Sequence, residues 1–146
     1  MITMRVRGDK EVMRRLETMN DRIRMSLRRA IEKEAIFETG YVKKNKLSGQ
    51  VLNVRTGTLR RSINYRIESG DKFVTAKIGT NVIYAAIHEY GGVIHHYARS
   101  STKTHKTSNG WDVKMPMRSF MRSTLRDNRD RIFESLRKGA LDAVQK

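Results

Sequence analysis

The sequence predicts an α+β fold: a small mixed or antiparallel sheet of about four to five strands, packed against a long N-terminal helix and a C-terminal helix. Three observations carry this prediction. Apolar residues recur with helical spacing in two long stretches near the ends, they alternate with period two in short stretches between, and glycine-bearing turns separate the short stretches. At 146 residues, with no internal repeat and no linker-like composition, residues 1–146 are read as a single domain.

The opening MITMRVRG sets Ile2, Met4 and Val6 against Thr3, Arg5 and Arg7, the alternation of a half-buried strand. Gly8 and Asp9 end it, and Asp9 suits the cap of the next helix. From Lys10 to Glu38 the spacing turns helical: Val12, Leu16, Met19, Ile23, Leu27, Ala30 and Phe37 share one stripe, while Arg14, Arg15, Arg22, Arg28 and Arg29 fall off it. A straight helix of that span measures about 43 Å, longer than the ~40 Å diameter expected of a compact chain this size. It must kink or pack one end on another molecule, and Glu34, inside the apolar stripe, marks the far end as something other than plain core.

Gly40, Gly49 and Gly57, with Lys43, Lys44 and Lys46 clustered between them, read as a long, partly mobile connection. Thr56 then caps a short helical turn in GTLRRSI, and INYRIES and KFVTAKIGT form two strands joined at Ser69-Gly70-Asp71, a hairpin signal. YAAIHEY is a short helix ending at Gly91. Residues 91–117 follow as a long hairpin: an extended strand, a polar basic loop, an Asn109-Gly110 turn and a short return strand. Pro116 precedes a second helix, starting near Ser119, that aligns Met121, Leu125, Ile132, Leu136, Ala140 and Ala143 on one face.

With 31 Lys and Arg against 15 Asp and Glu, the net charge of +16 points to polyanionic partners. The excess is spread, +6 over residues 1–46, +3 over 47–90, +3 over 91–117 and +4 over 118–146, which fits sequence-independent contact with a phosphate backbone better than a groove reader. No helix-turn-helix, zinc finger or RNP-like sequence occurs, and Tyr65, Phe73, Tyr84, Tyr90 and Tyr97 are scattered rather than set out as a stacking platform. The absence of cysteine excludes disulfides, thiolate nucleophiles and Cys-type zinc sites. No apolar run approaches the ~20 residues of a membrane span and MITMRVRGDK lacks a signal-peptide stretch, so a soluble protein without export signal or membrane partner is expected.

His88, His95, His96 and His105 invite a metal reading, but adjacent His95 and His96 point to opposite faces of a strand and His88 has no histidine four residues on. His88 and Glu89 look like a base and its orienter, yet neighbours in a helix lie about 100° apart and do not face each other. No GxSxG, phosphate-binding glycine loop or HExxH is present. No catalytic, metal or cofactor-binding residue is assigned, no cofactor is expected, and the chain is read as not an enzyme. The enzymatic form that leaves the weakest sequence marks is a small ribonuclease-like toxin using Arg, Lys, His and Tyr.

A basic first helix, then LSGQVLNVRTGTLRRSI, IGTNVIYAAIHEYGG and MPMRSFMRSTL leading into a C-terminal helix, follow one another from Lys10 onward. This order resembles the tail-completion or head–tail joining proteins of long-tailed bacteriophages, the virion morphogenesis or minor tail family. RTGTLRRSI (Arg55 to Ile63) and YAAIHEYGG (Tyr84 to Gly92) are its most specific parts. The resemblance implies a non-enzymatic virion component with a tail-terminator-like fold, assembled in the host cytoplasm as a subunit of a homo-oligomeric, hexameric ring at the head–tail junction, or neck. Its implied partners are further copies of itself, tail-tube and head-connector proteins, and DNA passing through the ring without base reading. The residues that carry the resemblance, and that serve as subunit-interface candidates, are Arg55, Thr56, Gly57, Leu59, Arg60, Tyr84, His88, Glu89, Tyr90, Gly91, Gly92, Arg118 and Phe120. Among them, Thr56 and Gly57 are expected to set a cap and turn that presents Leu59 to the core and Arg60 and Arg61 outward. Tyr84, Ile87 and Tyr90 are expected to pack the short helix on the sheet, with His88 and Glu89 as polar neighbours of that packing or of the next subunit. The runner-up reading is a basic nucleic-acid-binding protein, and the third is the toxin.

Overall fold

The computed structural model of the chain describes residues 2–5, 21–70, 73–97, 99–100, 107–108 and 110–144. The expected helix start with Asp9, Val12, Leu16 and Met19, the strand residue Val6, the hairpin residue Asp71, and His105 and Asn109 lie outside these residues.

Strands β2 (Asn64–Gly70) and β3 (Phe73–Thr80) pair antiparallel, from Asn64 opposite Gly79 to Gly70 opposite Phe73. Strand β1 (Ile2–Arg5) pairs antiparallel with the other edge of β3, Ile2 opposite Thr80, so the order is β1-β3-β2. In central β3, Ala76, Ile78 and Thr80 are buried while the residues between them are half-buried, the period of a strand with one face on the core. The buried Thr80 hydroxyl is satisfied: it shares a hydrogen bond with Ser62 Oγ at 2.6 Å and accepts from the Val82 amide at 3.1 Å.

Helix α1 (Asp21–Tyr41) crosses β2 and β3. Its inward stripe is Leu27, Glu34, Ala35, Glu38 and Thr39, with Ile23, Ala30 and Phe37 half-buried beside it and Arg22, Arg28 and Arg29 exposed, as the helical period predicts. The helix does not stop at Glu38. It passes Gly40 and runs into a π-helical turn, Val42–Lys46, in which the Leu47 amide donates to Val42 O at 3.0 Å. Val42 and Leu47 extend the apolar side of the helix by one turn, and their burial outweighs the ~1 kcal/mol that a glycine costs in a helix interior.

The stretch expected to be a long, partly mobile connection instead supplies much of the core. Gly49, at φ 108°, turns the chain so that its amide donates to Leu52 O at 3.1 Å, while the Val51 and Leu52 amides both donate to Lys46 O at 3.2 Å. Leu47 and Leu52 are thereby placed beside Val42. Leu59 of the short helix α2 (Thr58–Ser62) and Ile63 after it complete a cluster with Ile78, Ala85, Phe120 and Met121. The irregular spacing of Leu47, Val51, Leu52 and Leu59 fits neither a helical nor a strand period, which is why glycine content dominates a reading of this segment.

Helix α3 (Ala85–Tyr90) ends at Gly91, and β4 (Gly92–His96) then pairs antiparallel with β7 (Trp111–Met115), Gly92 opposite Met115 and His96 opposite Trp111. Further along the same arms, β5 (Arg99–Ser100) pairs with β6 (Thr107–Ser108). Gly110, expected in a turn with Asn109, comes after β6 and directly before β7. The sheet of about four to five strands is corrected accordingly: among the described residues the strands form three separate antiparallel sheets, the largest of three strands. Gly91 (φ 71°) and Gly92 (φ 144°) turn the chain out of α3 and into β4.

The expected single C-terminal helix is two: α4 (Met121–Asp127) and α5 (Arg129–Val144). They break at Asn128 (φ −108°, ψ 10°), whose side-chain amide donates at 3.2 Å to both Thr124 O and Glu38 Oε2, tying the break to α1. Helix α5 packs along α1 closely enough that Ser26 Oγ donates to Gly139 O at 2.6 Å, and a Cβ on Gly139 would stand 2.9 Å from Ala30 Cβ.

Candidate functional site

Helix α3 turns Ala85 and Glu89, four residues apart, into the protein, and both are fully buried. The expected anchors are not anchors: Tyr84 is 44% and Tyr90 56% exposed, with Ile87 half-buried. Small Ala85 lets the helix approach the core, and Glu89 follows on the same face because donors wait for it there. The tyrosines find surface partners instead, Tyr84 edge-on to the His88 ring at 6.1 Å and Tyr90 under the Arg122 guanidinium at 4.8 Å.

Those donors are the start of α4. Phe120 stands at its N-cap and has no side chain able to cap it, so Glu89 does so from 31 residues away. Glu89 Oε2 accepts from the Phe120 and Met121 amides at 2.8 and 2.9 Å, and Oε1 accepts from the Arg122 amide at 3.0 Å and Ser119 Oγ at 2.8 Å. Burial pushes the Glu89 carboxyl up, but the donors on Met121, Arg122, Ser119 and Phe120 together outweigh it and hold the group below the usual carboxylate range. It is thus ionised, at the helix end that favours negative charge.

The same joint holds the chain before α4. The Arg118 amide donates to His88 O at 2.8 Å and the Gly91 amide to Ile87 O at 2.9 Å. A Cβ on Gly91 would lie 2.9 Å from Met117 N and 3.0 Å from Met115 O, so only glycine permits this approach of backbone to backbone.

On the outer side of the joint, Tyr84, His88 and Arg118 face residues 47–60 across a cleft of about 920 Å³. Arg55, Thr56, Gly57, Leu59 and Arg60 line the opposite wall, so the two most specific segments of the sequence meet here. Gly57, at φ 72°, occupies the cap position of α2, and its carbonyl accepts from the Arg61 amide at 2.9 Å. Gly57 rather than Thr56 takes the cap position, but the Thr56 hydroxyl accepts from the amide of Thr58, the first helical residue, at 3.4 Å and shares a hydrogen bond with Thr58 Oγ1 at 2.9 Å in a local turn. Leu59 is buried in the core, and Arg60 and Arg61 are exposed.

The cleft has an apolar floor of Leu47, Val51 and Leu52 and a rim bearing Arg55, Arg60 and Arg118, with no Asp or Glu among its lining residues. His88 Nδ1 is buried in its wall without a hydrogen-bond partner. Burial, and then the Arg118 charge, lower the His88 pKa, so the imidazole is neutral at pH 7.

Thus eight of the thirteen residues singled out in the sequence, Arg55, Thr56, Gly57, Leu59, Arg60, Tyr84, His88 and Arg118, share the cleft, while Glu89, Gly91 and Phe120 form the joint behind it. Tyr90 and Gly92 lie outside both. Sequence reasoning missed Ser119 and Arg122 as Glu89 partners and the apolar floor. An apolar residue at the N-cap of MRSTLRD was the available signal, since it requires the cap to come from elsewhere.

Elsewhere, His95 Nδ1 lies 2.7 Å from Asp112 Oδ1, and His96 stacks on Trp111 at 4.7 Å. Among the described residues no group of three or more His, Cys, Asp or Glu is placed to hold a metal ion, and no helix is long and apolar enough to cross a membrane.

No curated protein and no solved structure matches the chain significantly. The model of the phage virion morphogenesis family matches residues 10–139, a span that includes the cleft and the joint. The chain belongs to the phage virion morphogenesis family, and its role is in the assembly of a phage virion.

Proposed function

We propose that the chain is a non-catalytic subunit of a ring at the head–tail junction of a long-tailed phage, where it completes the tail tube or joins it to the filled head. The observation that carries this reading is the ribbon of β4 and β7. Most of its residues are exposed, with Trp111 54% and the adjoining Tyr97 84% accessible, so it offers apolar surface that this copy leaves uncovered. Contacts of this kind, made head to tail between identical subunits, close into a ring when the rotation permits. In the same reading, β1 to β3 backed by α1 and α5 form a tail-terminator-like body, tail-tube and connector proteins abut the ring, and dispersed arginines face DNA without reading bases.

Imaging of particles produced without this protein tests the proposal. Finished heads and separate tails are expected, and normal tailed particles would overturn it. A second reading, nucleic-acid binding as the primary role, draws on the exposed Arg22, Arg28 and Arg29 of α1. Sequence-preferring binding of duplex DNA by a monomer at physiological salt would favour that reading over the ring.

A further inference from the structure

We propose that the cleft between residues 47–60 and α3 is a docking site for an acidic peptide segment, anchored by apolar side chains, from a neighbouring virion protein. Assigning the peptide to a virion protein rests on the junction reading; the chemistry of the cleft does not. Charge complementarity selects the occupant. Three arginines line the cleft with no carboxylate to neutralise them, and none of Arg55, Arg60 and Arg118 forms an ion pair among the described residues. A second copy of a chain carrying +16 is a poor source of the missing negative charge.

The floor argues against a nucleic acid. Half-buried Val51 and Val54, 47% exposed, with the buried Leu47 and Leu52 beside them, reward apolar side chains that a phosphate backbone does not offer, and a volume of about 920 Å³ is that of a small-ligand or peptide site. The walls are also fixed in advance. Glu89 clamps the start of α4, and His88 O holds the Arg118 amide, so little ordering is left to occur on binding.

The test is selection of a yeast-displayed library of random dodecapeptides on the purified chain, followed by fluorescence anisotropy with the enriched peptides. Enriched sequences are expected to interleave Asp or Glu with Leu, Ile, Val or Phe. The R60E/R118E variant should bind them roughly tenfold more weakly or worse, V54D should also weaken binding, and R22E/R28E, the same charge change on α1, should bind as the parent does. Unchanged circular-dichroism melts establish that the variants fold. Selection without acidic bias, equal weakening in R22E/R28E, displacement of the peptide by a short random-sequence DNA duplex, or self-association abolished by R60E/R118E would each overturn the proposal. Failure here leaves the junction reading standing. Conversely, normal particles made without the protein would remove the virion partner but leave the peptide chemistry of the cleft intact.

Discussion

Glu89 and Glu38 are carboxylates with almost no exposed surface, 0% and 2%, yet their surroundings drive them in opposite directions. Glu89 meets three backbone amides and a hydroxyl at the start of a helix and stays ionised. Glu38, in the seam between α1 and α5, meets one Asn128 amide through Oε2 and leaves Oε1 without a partner. Burial raises its pKa to about 7; Asn128 lowers it in part, Glu34 and Asp127 raise it, and nearby Arg131, bonded to Glu34 at 3.1 Å, offsets some of the rise. Burial alone does not decide the charge of a carboxylate; the number of donors aimed at it does. The α3–α4 joint is therefore built to hold a charge, and the seam is built to tolerate one poorly.

The largest effect is expected at the joint. Glu89→Gln turns an amide nitrogen toward donors that need an acceptor, and should cost about 3–5 kcal/mol, much of a typical domain's stability. Urea unfolding at pH 7 measures it; a loss below about 0.5 kcal/mol would mean that the clamp does not hold the joint. Gly91→Ala comes next. Its φ of 71° with ψ of −174° is a conformation nearly confined to glycine, and the new Cβ meets backbone atoms of Met115 and Met117 that cannot swing away, so about 2–3 kcal/mol should be lost. An unfolding midpoint equal to the parent's would remove the argument that backbone approach requires this glycine.

The seam should show itself in pH dependence. Between the ordinary carboxyl value of 4.5 and about 7, the folded chain keeps a Glu38 proton that the unfolded chain has released. Stability from this group thus falls as pH rises through that window, by about 3 kcal/mol in all, and is constant above it. Glu38→Gln should abolish that slope and be the more stable protein above pH 7. Glu89 works the other way: its folded pKa is depressed, so its contribution is present above 4.5 and is lost as acidification passes the folded value. Denaturation curves from pH 4 to 8 for the parent and Glu38→Gln separate the two, and parallel curves would show that Glu38 is not a native-state proton store.

Much of this contrast was invisible in the chain. The ends of β2, β3, α2 and α3 could be read because turn residues and short apolar periods lie next to each other in sequence. Glu34 was legible as an anomaly, since it interrupts an apolar stripe, and the structure buries it against Arg131. Glu89 was legible only as a polar residue beside a histidine, because most of its partners are backbone amides 31 to 33 residues on, and amides carry no sequence signature. Tyr84 and Tyr90 stay at the surface because the close approach of α3 to the core needs the small Ala85 on its inner face. The break at Asn128 was hidden by an apolar face that continues through it from Leu125 to Ile132. The cleft itself arises from packing residues 47–60 against α3, a long-range event that neither segment announces.

The smallest prediction tests whether the Glu38 effect belongs to the seam or to α1 as a whole. Gly40 lies in the interior of α1, two residues from Glu38 but exposed, and nothing stands within 4 Å of where its Cβ would be. Gly40→Ala should therefore stabilise the protein by about 0.5–1 kcal/mol through helix propensity and a less flexible unfolded chain. The gain should be the same at pH 5 and pH 8, because the new methyl touches neither Glu38 nor the groups that set its protonation. A gain confined to low pH would mean that protonation of Glu38 controls the end of α1 itself, and the contrast between a charged joint and a proton-holding seam would then have to include the π-helical turn that follows.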